Sequence, residues 1–108
     1  MRVVILRGAE EDLREIRRYV IRSFGQEAWQ RTKAQFSDAI SQLKVFPMSG
    51  SVTETLEELG MNGFRQMVAG MNRIVYEVTE STVYIHVISD SRRDARTLLA
   101  RRLLRAPN

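Results

Sequence analysis

Cysteine is absent from the 108 residues, which excludes disulfides, thiol nucleophiles and thiolate metal sites. This absence fits a reducing compartment. Long apolar runs are also missing near the N-terminus, where Val3–Leu6 provides only four apolar residues before a charge. Such a run is too short for a signal peptide or a membrane span. We therefore expect a cytoplasmic protein that makes no membrane contact.

Lysine is scarce as well, since the basic residues comprise fifteen arginines and only Lys33 and Lys44. The formal net charge is +4, and Arg92–Arg105 alone holds six arginines against one aspartate. A planar guanidinium can form two hydrogen bonds at once to a carboxylate or a phosphate. This composition therefore indicates an anionic partner, either a nucleic acid or an acidic protein segment. A solvated C-terminal helix whose arginines complement the helix dipole accounts for the same segment equally well.

The length allows one domain, which we place at residues 1–108. Hydrophobic periodicity and turn residues predict the elements in this order: a strand at Val3–Leu6, a helix that follows Gly8-Ala9 and ends at Gly25, a helix at about Glu27–Phe46, a helical turn at Glu54–Leu59, strands at Phe64–Ala69, Arg73–Val78 and Val83–Ser89, and a helix at Ala95–Arg105 capped by Asp94. The predicted fold class is α+β, in the order β-α-α-β-β-β-α, with a mostly antiparallel sheet and a helical hairpin packed on one face.

Two sets of side chains follow from the helical spacing. The acidic first turn of the first helix, with Glu10, Glu11 and Asp12, is expected to complement the helix dipole. The apolar residues at helical spacing are expected in the core: Leu13, Ile16, Val20 and Phe24 on the first helix, and Trp29, Phe36 and Phe46 on the second.

Catalytic patterns are poorly represented. The one histidine, His86, lies in the middle of a predicted strand and has no cysteine to activate and no ligand cluster, so a half-buried structural role is favoured. The glycines lack the spacing of a phosphate-binding loop. For Tyr76 and Tyr84, cross-strand packing is favoured over base stacking. We predict no catalytic residues, no metal and no cofactor.

Several segments, in order, resemble the RelE/ParE superfamily of toxins from type II toxin–antitoxin systems. They are Ala9–Ile16, which reads A-E-x-D-L-x-x-I, Phe46–Gly50, which reads F-P-x-S-G, the strand Arg73–Val78, which reads R-I-V-Y-x-V, the strand Val83–Ile88, and Arg92-Arg93-Asp94. The likeness covers nearly the whole chain. It implies a small toxin neutralised by a cognate antitoxin, in a toxin–antitoxin hetero-oligomer.

The superfamily divides by activity. RelE-like members cut messenger RNA on the ribosome with strand lysines, arginines and a tyrosine in the last helix, whereas ParE-like members poison DNA gyrase. This chain keeps Arg73 and Arg93 but has Phe64 and Gln66 in place of the lysines and Leu99 in place of the tyrosine. Other nuclease branches have a histidine where this chain has Ser89–Ser91. Without proton-transfer groups, the resemblance favours the ParE-like branch, a gyrase inhibitor that is not an enzyme.

The arginines near the sheet and in the tail are predicted to form the effector surface, in contact with carboxylates of gyrase or phosphates of its bound DNA: Arg65, Arg73, Arg92, Arg93, Arg101, Arg102 and Arg105. A ParD-like antitoxin with an acidic C-terminal segment is expected on the helical hairpin and sheet edge, with Tyr19, Met67 and Met71 as contacts.

Two alternatives stay open. One is a ribosome-dependent messenger RNA endoribonuclease of the RelE type, which assembles its chemistry from Tyr76, Glu77 or His86. The other is a degenerate family member retained only as a binding module.

Overall fold

The computed structural model describes residues 1–103. Its elements are β1 (Arg2–Ile5), α1 (Arg7–Phe24), α2 (Gln26–Val45), α3 (Glu54–Glu58), β2 (Phe64–Ala69), β3 (Asn72–Val78), β4 (Thr82–Asp90) and α4 (Ala95–Leu103). The predicted order and fold class are confirmed. The last residues of the predicted C-terminal helix, Leu104 and Arg105, lie outside the described residues. Among the helices of residues 1–103, none has both the length and the apolarity that a bilayer crossing requires.

The sheet has the strand order β1-β4-β3-β2. The β2–β3 and β3–β4 pairs are antiparallel and β1 runs parallel to β4, so the sheet is mostly antiparallel, as predicted. The register shifts within the β3–β4 pair, because Val75 faces Val87 while Tyr76 faces Ile85. One extra residue, His86, is thereby accommodated in β4 as a bulge, a feature that redirects side chains on the bulged strand.

The helical hairpin packs on one face of the sheet and forms the main core. Gly25, with φ +94°, reverses the chain between α1 and α2 in a conformation that favours glycine. The buried residues of this core come from both helices and from alternate positions of the strands: Ala9, Phe36, Ala39, Leu43, Met67, Ala69, Ile74, Tyr76, Val83, Ile85 and Ile88. Alternation places these strand residues on the same side as the hairpin, and the bulge at His86 keeps Ile88 on that side although it is three residues from Ile85.

A second, smaller core lies on the opposite face of the sheet. Val75 of β3 and Val87 of β4 are buried there against Leu56 of α3 and Leu99 of α4. Asp94 caps α4 as predicted, since its carboxylate accepts hydrogen bonds from Thr97 Oγ1 at 2.7 Å and from the backbone N–H of Arg96 at 3.1 Å. The sheet is therefore covered on both faces over its central strands.

Two aromatic residues predicted in the core are on the surface. Phe24 is 67% exposed and Phe46 is 64% exposed. Phe24 is the last residue of α1 and Phe46 directly follows α2, so each continues the apolar stripe of its helix at the point where the chain turns away from the sheet. Helical spacing alone does not reveal where the supporting sheet ends.

Candidate partner-binding surfaces

The loop Phe46–Gly50 is held in place by a buried tyrosine. Tyr76 is fully buried, and its hydroxyl donates a hydrogen bond to the carbonyl oxygen of Pro47 at 2.9 Å and accepts one from the N–H of Gly50 at 2.9 Å. Burial raises the pKa of Tyr76 above its ordinary value, and the Gly50 hydrogen bond and the charge of Arg65 offset this only in part. The packing role predicted for Tyr76 is confirmed, and its hydroxyl is fully engaged within the protein.

Arg65 also binds the loop Phe46–Gly50. Its Nη1 donates to the carbonyl oxygens of Gly50 at 2.8 Å and Met48 at 3.3 Å, while Ser51 and Gln66 exchange two backbone hydrogen bonds of 2.8 Å. A charge-assisted hydrogen bond of this kind is stronger than a neutral one. The guanidinium of Arg65 therefore connects β2 to the F-P-x-S-G loop.

Arg73 was expected on the surface, but it is only 9% exposed. Its Nη2 donates to the carbonyl oxygen of Ser91 at 2.6 Å and its Nη1 to that of Arg93 at 3.3 Å. Within residues 1–103, the buried Nε of Arg73 and Oγ of Ser89 have no hydrogen-bond partner. Since backbone carbonyls that no strand or helix satisfies need a donor, Arg73 shapes the β4–α4 connection from inside and is not displayed on the surface.

Arg92 lies on that connection and pairs with a neighbouring carboxylate. Asp90 accepts hydrogen bonds from Arg92 Nη2 at 2.7 Å, from its Nε at 3.0 Å and from its backbone N–H at 2.8 Å. These hydrogen bonds lower the pKa of Asp90 to about 2. The next residue, Arg93, is exposed. Together Arg92 and Arg93 present guanidinium groups at the end of β4.

Asp12 was expected to complement the dipole of α1, but it connects three elements. Its carboxylate accepts two hydrogen bonds from Arg102 of α4, at 2.6 and 3.1 Å, and one from the N–H of Ile88 in β4 at 2.9 Å. Burial raises the pKa of Asp12, while the Ile88 hydrogen bond and the charge of Arg102 lower it less strongly. Asp12 therefore anchors the C-terminal half of α4 onto α1 and the sheet.

The predicted effector arginines do not form one surface. Arg73, Arg92 and Arg93 meet around the end of β4. Arg65 lies on β2 opposite Tyr76 of β3. Because Tyr76 is three positions from Arg73 along β3, Arg65 lies about 10 Å along the sheet from Arg73. On α4, Arg102 is bound to α1 while Arg101 is exposed; Arg105 lies outside the described residues.

A groove of about 580 Å³ lies between α1, α2 and the ends of β3 and β4. Its apolar lining includes Tyr19 and Met71, which are 50% and 59% exposed. Phe24 extends this lining, with its ring edge-on to that of Tyr19 at 6.1 Å between centroids. Met67, the other expected antitoxin contact, is 9% exposed and packs in the main core, so we assign it to the core and not to a contact surface. Met67 lies on the face of β2 that packs against the hairpin, and this position buries its side chain.

Charged residues of both signs line the groove, but the acidic ones are mostly paired. Asp12 is bound by Arg102 and Asp90 by Arg92. The arginines of the lining are Arg31, Arg92 and Arg93, and the one further carboxylate is Glu15. The apolar floor and the exposed guanidinium groups of Arg31 and Arg93 are complementary to an amphipathic segment that carries acidic side chains.

His86 has a partner that the sequence did not indicate. Its Nε2 lies 3.0 Å from Oε1 of Glu77, and its ring lies 4.8 Å from that of Phe64. As expected, the side chain is half-buried. In the part of the chain that is described, no group of three or more histidine, aspartate or glutamate side chains is placed to hold a metal ion. A cross-strand hydrogen bond next to a bulge is sufficient to account for these contacts.

Comparisons with known proteins identify a family. Residues 3–95 match the family model described as the ParE toxin of the type II toxin–antitoxin system parDE. Among solved structures, a chain of a chromosomal ParDE toxin–antitoxin system from P. aeruginosa is similar, with a TM-score of 0.67 and 17% sequence identity over 83% of this chain and 95% of the other. At that identity the likeness shows a shared fold. No curated protein sequence matches.

Proposed function

The chain belongs to the ParE toxin family of type II toxin–antitoxin systems, and from this we propose that it arrests replication by binding DNA gyrase until a ParD-like antitoxin neutralises it. Partnership with an antitoxin follows from the family. The identity of the target, an action by binding without catalysis, and a cytoplasmic site of action are our proposals.

The observation that carries the proposal is that one groove holds both expected kinds of contact. The groove is lined by Tyr19 and Met71, which are the exposed residues among the expected antitoxin contacts, and by Arg92 and Arg93, which are two of the expected effector residues. An acidic antitoxin segment bound there would cover the guanidinium groups of Arg92 and Arg93. Neutralisation then results from occlusion of the surface that binds the target.

Action by binding is supported by the positions of the groups able to transfer a proton. General acid–base catalysis requires such a group within hydrogen-bond reach of the reacting atoms. Tyr76 is buried and engaged at both of its hydrogen-bonding positions. Glu77 and His86 pair with each other, and Glu77 is four residues from Arg73 on β3, about 13 Å along the strand. These groups are poorly placed to act beside a phosphate held by the arginines at the end of β4.

Among the predicted effector arginines, we propose that Arg92, Arg93 and Arg101 touch the target, since all three are exposed. Arg65, Arg73 and Arg102 act indirectly, because their guanidinium groups hold the loop, the β4–α4 connection and α4 itself. A contribution of Arg105 remains part of the proposal on the basis of the sequence.

Supercoiling by purified gyrase in the presence of the purified chain tests the proposal. We expect inhibition that depends on the concentration of the chain, and we expect Arg93→Gln combined with Arg101→Gln to weaken it at least tenfold. Lys33→Gln combined with Lys44→Gln removes the same charge from exposed positions of α2 and is expected to inhibit like the wild type.

Unimpaired supercoiling would contradict the gyrase proposal. Primer extension on translated messenger RNA after induction separates the alternative, because site-specific cleavage would identify an endoribonuclease of the RelE type. Normal growth after induction would favour the other alternative, a degenerate family member retained only as a binding module.

A further inference from the structure

The outer face of α1 carries a row of arginines to which neither the groove nor the effector surface assigns a role. Arg14, Arg18 and Arg22 follow each other at intervals of four residues, and Arg17 lies beside them. All four are exposed. Among residues 1–103, none of them takes part in an ion pair, although Arg7, Arg92, Arg96 and Arg102 do.

The geometry of an α-helix places this row along one side of the helix. Residues four apart are separated by about 6 Å along the axis and by about 40° around it. Arg14, Arg18 and Arg22 therefore span about 12 Å of a rigid helix on the side opposite the buried Ala9 and the partly buried Ile16. We call these three residues the α1 arginine row.

Four guanidinium groups close together repel one another, and i,i+4 pairs of like charge destabilise a helix. Between Arg14 and Arg22 the segment contains a single acidic residue, Glu15. Guanidinium groups match phosphate oxygens in geometry and release counterions from a polyanion when they bind. The row is thus complementary to a regular line of phosphates.

We propose that the α1 arginine row binds the phosphate backbone of duplex DNA without sequence specificity. The choice of DNA rests on the proposed function, in which the target is an enzyme that acts on DNA. The absence of aromatic side chains from the row argues against single-stranded nucleic acid, whose recognition depends on stacking of bases on aromatic rings. The exposed aromatic residues of α1, Tyr19 and Phe24, belong to the groove.

The row and the groove occupy different sides of α1. The groove is lined by Asp12, Glu15, Ile16, Tyr19 and Val20, and none of the row residues is among its lining. A toxin whose groove is filled by an antitoxin would therefore keep its α1 arginine row available for DNA.

The test measures binding of the full-length chain to a fluorescent 20-base-pair DNA duplex of arbitrary sequence by anisotropy, from 50 to 200 mM salt. The variant is Arg14→Gln, Arg18→Gln and Arg22→Gln together. The control, Arg2→Gln, Lys33→Gln and Lys44→Gln together, removes three positive charges from other exposed positions. Thermal unfolding verifies that both variants are folded.

We expect the row variant to bind at least tenfold more weakly than the wild type at 50 mM salt, and the slope of log K against log salt to fall by about 3, one unit for each phosphate that is no longer neutralised. The control should keep the wild-type slope to within about one unit. Arg18→Gln alone should lower the slope by about 1.

Equal loss of affinity in the row variant and the control would overturn the proposal, as would tighter binding to single-stranded RNA of the same length. The outcome is independent of the gyrase proposal, because gyrase is absent from the assay. Inhibited supercoiling without DNA binding would overturn only the role of the row, whereas DNA binding with unimpaired supercoiling would overturn only the choice of target.

Discussion

Tyr76 explains why the F-P-x-S-G segment has glycine at position 50. A buried hydroxyl needs a donor and an acceptor, and the N–H of Gly50 and the carbonyl of Pro47 supply them. A side chain at position 50 would collide with this arrangement, since a Cβ there would lie 2.8 Å from the carbonyl oxygen of Gln66 and closer still to the Tyr76 hydroxyl. Position 50 therefore requires glycine, because the Tyr76 hydroxyl and the Gln66 carbonyl oxygen leave no room for a Cβ.

Gly50→Ala is therefore expected to lower the free energy of unfolding by about 1–3 kcal/mol, because the loop must shift and the Tyr76 hydroxyl loses its donor. Urea denaturation measures this. Ser49→Ala changes an exposed neighbour and should stay within about 0.5 kcal/mol of the wild type. A Gly50 variant as stable as the Ser49 variant would show that the loop does not depend on the contact.

The stabilisation that the Asp90–Arg92 pair provides is expected to depend on pH in the acid range. Its folded-state pKa is about 2 against an ordinary value of 3.8, so the stabilisation from the Arg92 pair is present above pH 3.8 and is lost as the pH falls towards 2. In an NMR titration of the side-chain carboxyl, Arg92→Gln should return the pKa towards 3.8. An unchanged pKa in that variant would assign the shift to another cause.

The last helix, α4, is attached to the rest of the protein at two points along its length. Leu99 lies in the second core, and Arg102 binds Asp12 of α1. The carboxylate of Asp12 also satisfies the N–H of Ile88, which lies beyond the part of β4 that pairs with β1. One side chain thus links the first helix, the last helix and an inner strand.

Arg102→Gln should destabilise the protein by about 1–3 kcal/mol at pH 7, because it leaves a mostly buried carboxylate without its charged partner. Burial already raises the pKa of Asp12, and loss of the arginine raises it further. A carboxyl whose pKa is raised on folding lowers stability as the pH rises above 3.8. The loss measured by urea denaturation should therefore be smaller at pH 4 than at pH 7.

Addition of Asp12→Asn to Arg102→Gln should recover part of the loss at pH 7, since no buried charge remains. Arg96→Gln serves as the control, because its pairing with Glu58 is exposed and exposed ion pairs contribute about 0–1 kcal/mol. Equal destabilisation by Arg102→Gln at both pH values would argue against a charged Asp12 as the cause.

The groove brings together residues from distant parts of the chain. Tyr19 comes from α1, Met71 from the β2–β3 turn, and Arg92 and Arg93 from the connection to α4. Partner residues at such sites commonly contribute unequally, with aromatic and arginine side chains foremost. Tyr19 is accordingly the expected anchor for an antitoxin.

Tyr19→Ala combined with Met71→Ala should keep its toxicity but escape neutralisation, with an affinity for the antitoxin at least tenfold lower in a titration of the purified pair. Val45→Ala combined with Met48→Ala truncates two exposed apolar residues outside the groove and should be neutralised like the wild type. Growth arrest that the antitoxin still relieves in the Tyr19 and Met71 variant would place the contact elsewhere.

The element order and the family resemblance follow from local features of the sequence. Periodicity near two in Phe64–Ser89 and the helical spacing of Leu13 and Ile16 are local properties, and each element forms where its own residues predict it. The capping role of Asp94 and the packing role of Tyr76 were predictable for the same reason, since each depends on a residue type at a known place in an element.

In contrast, which charged and apolar side chains reach the surface depends on how the elements pack together. Arg73 turns inward to bind two carbonyl oxygens, Met67 joins the core and Phe24 leaves it. Asp12 pairs with a residue ninety positions away. These outcomes depend on where elements end and on which distant backbone groups need a partner, and local spacing contains neither quantity.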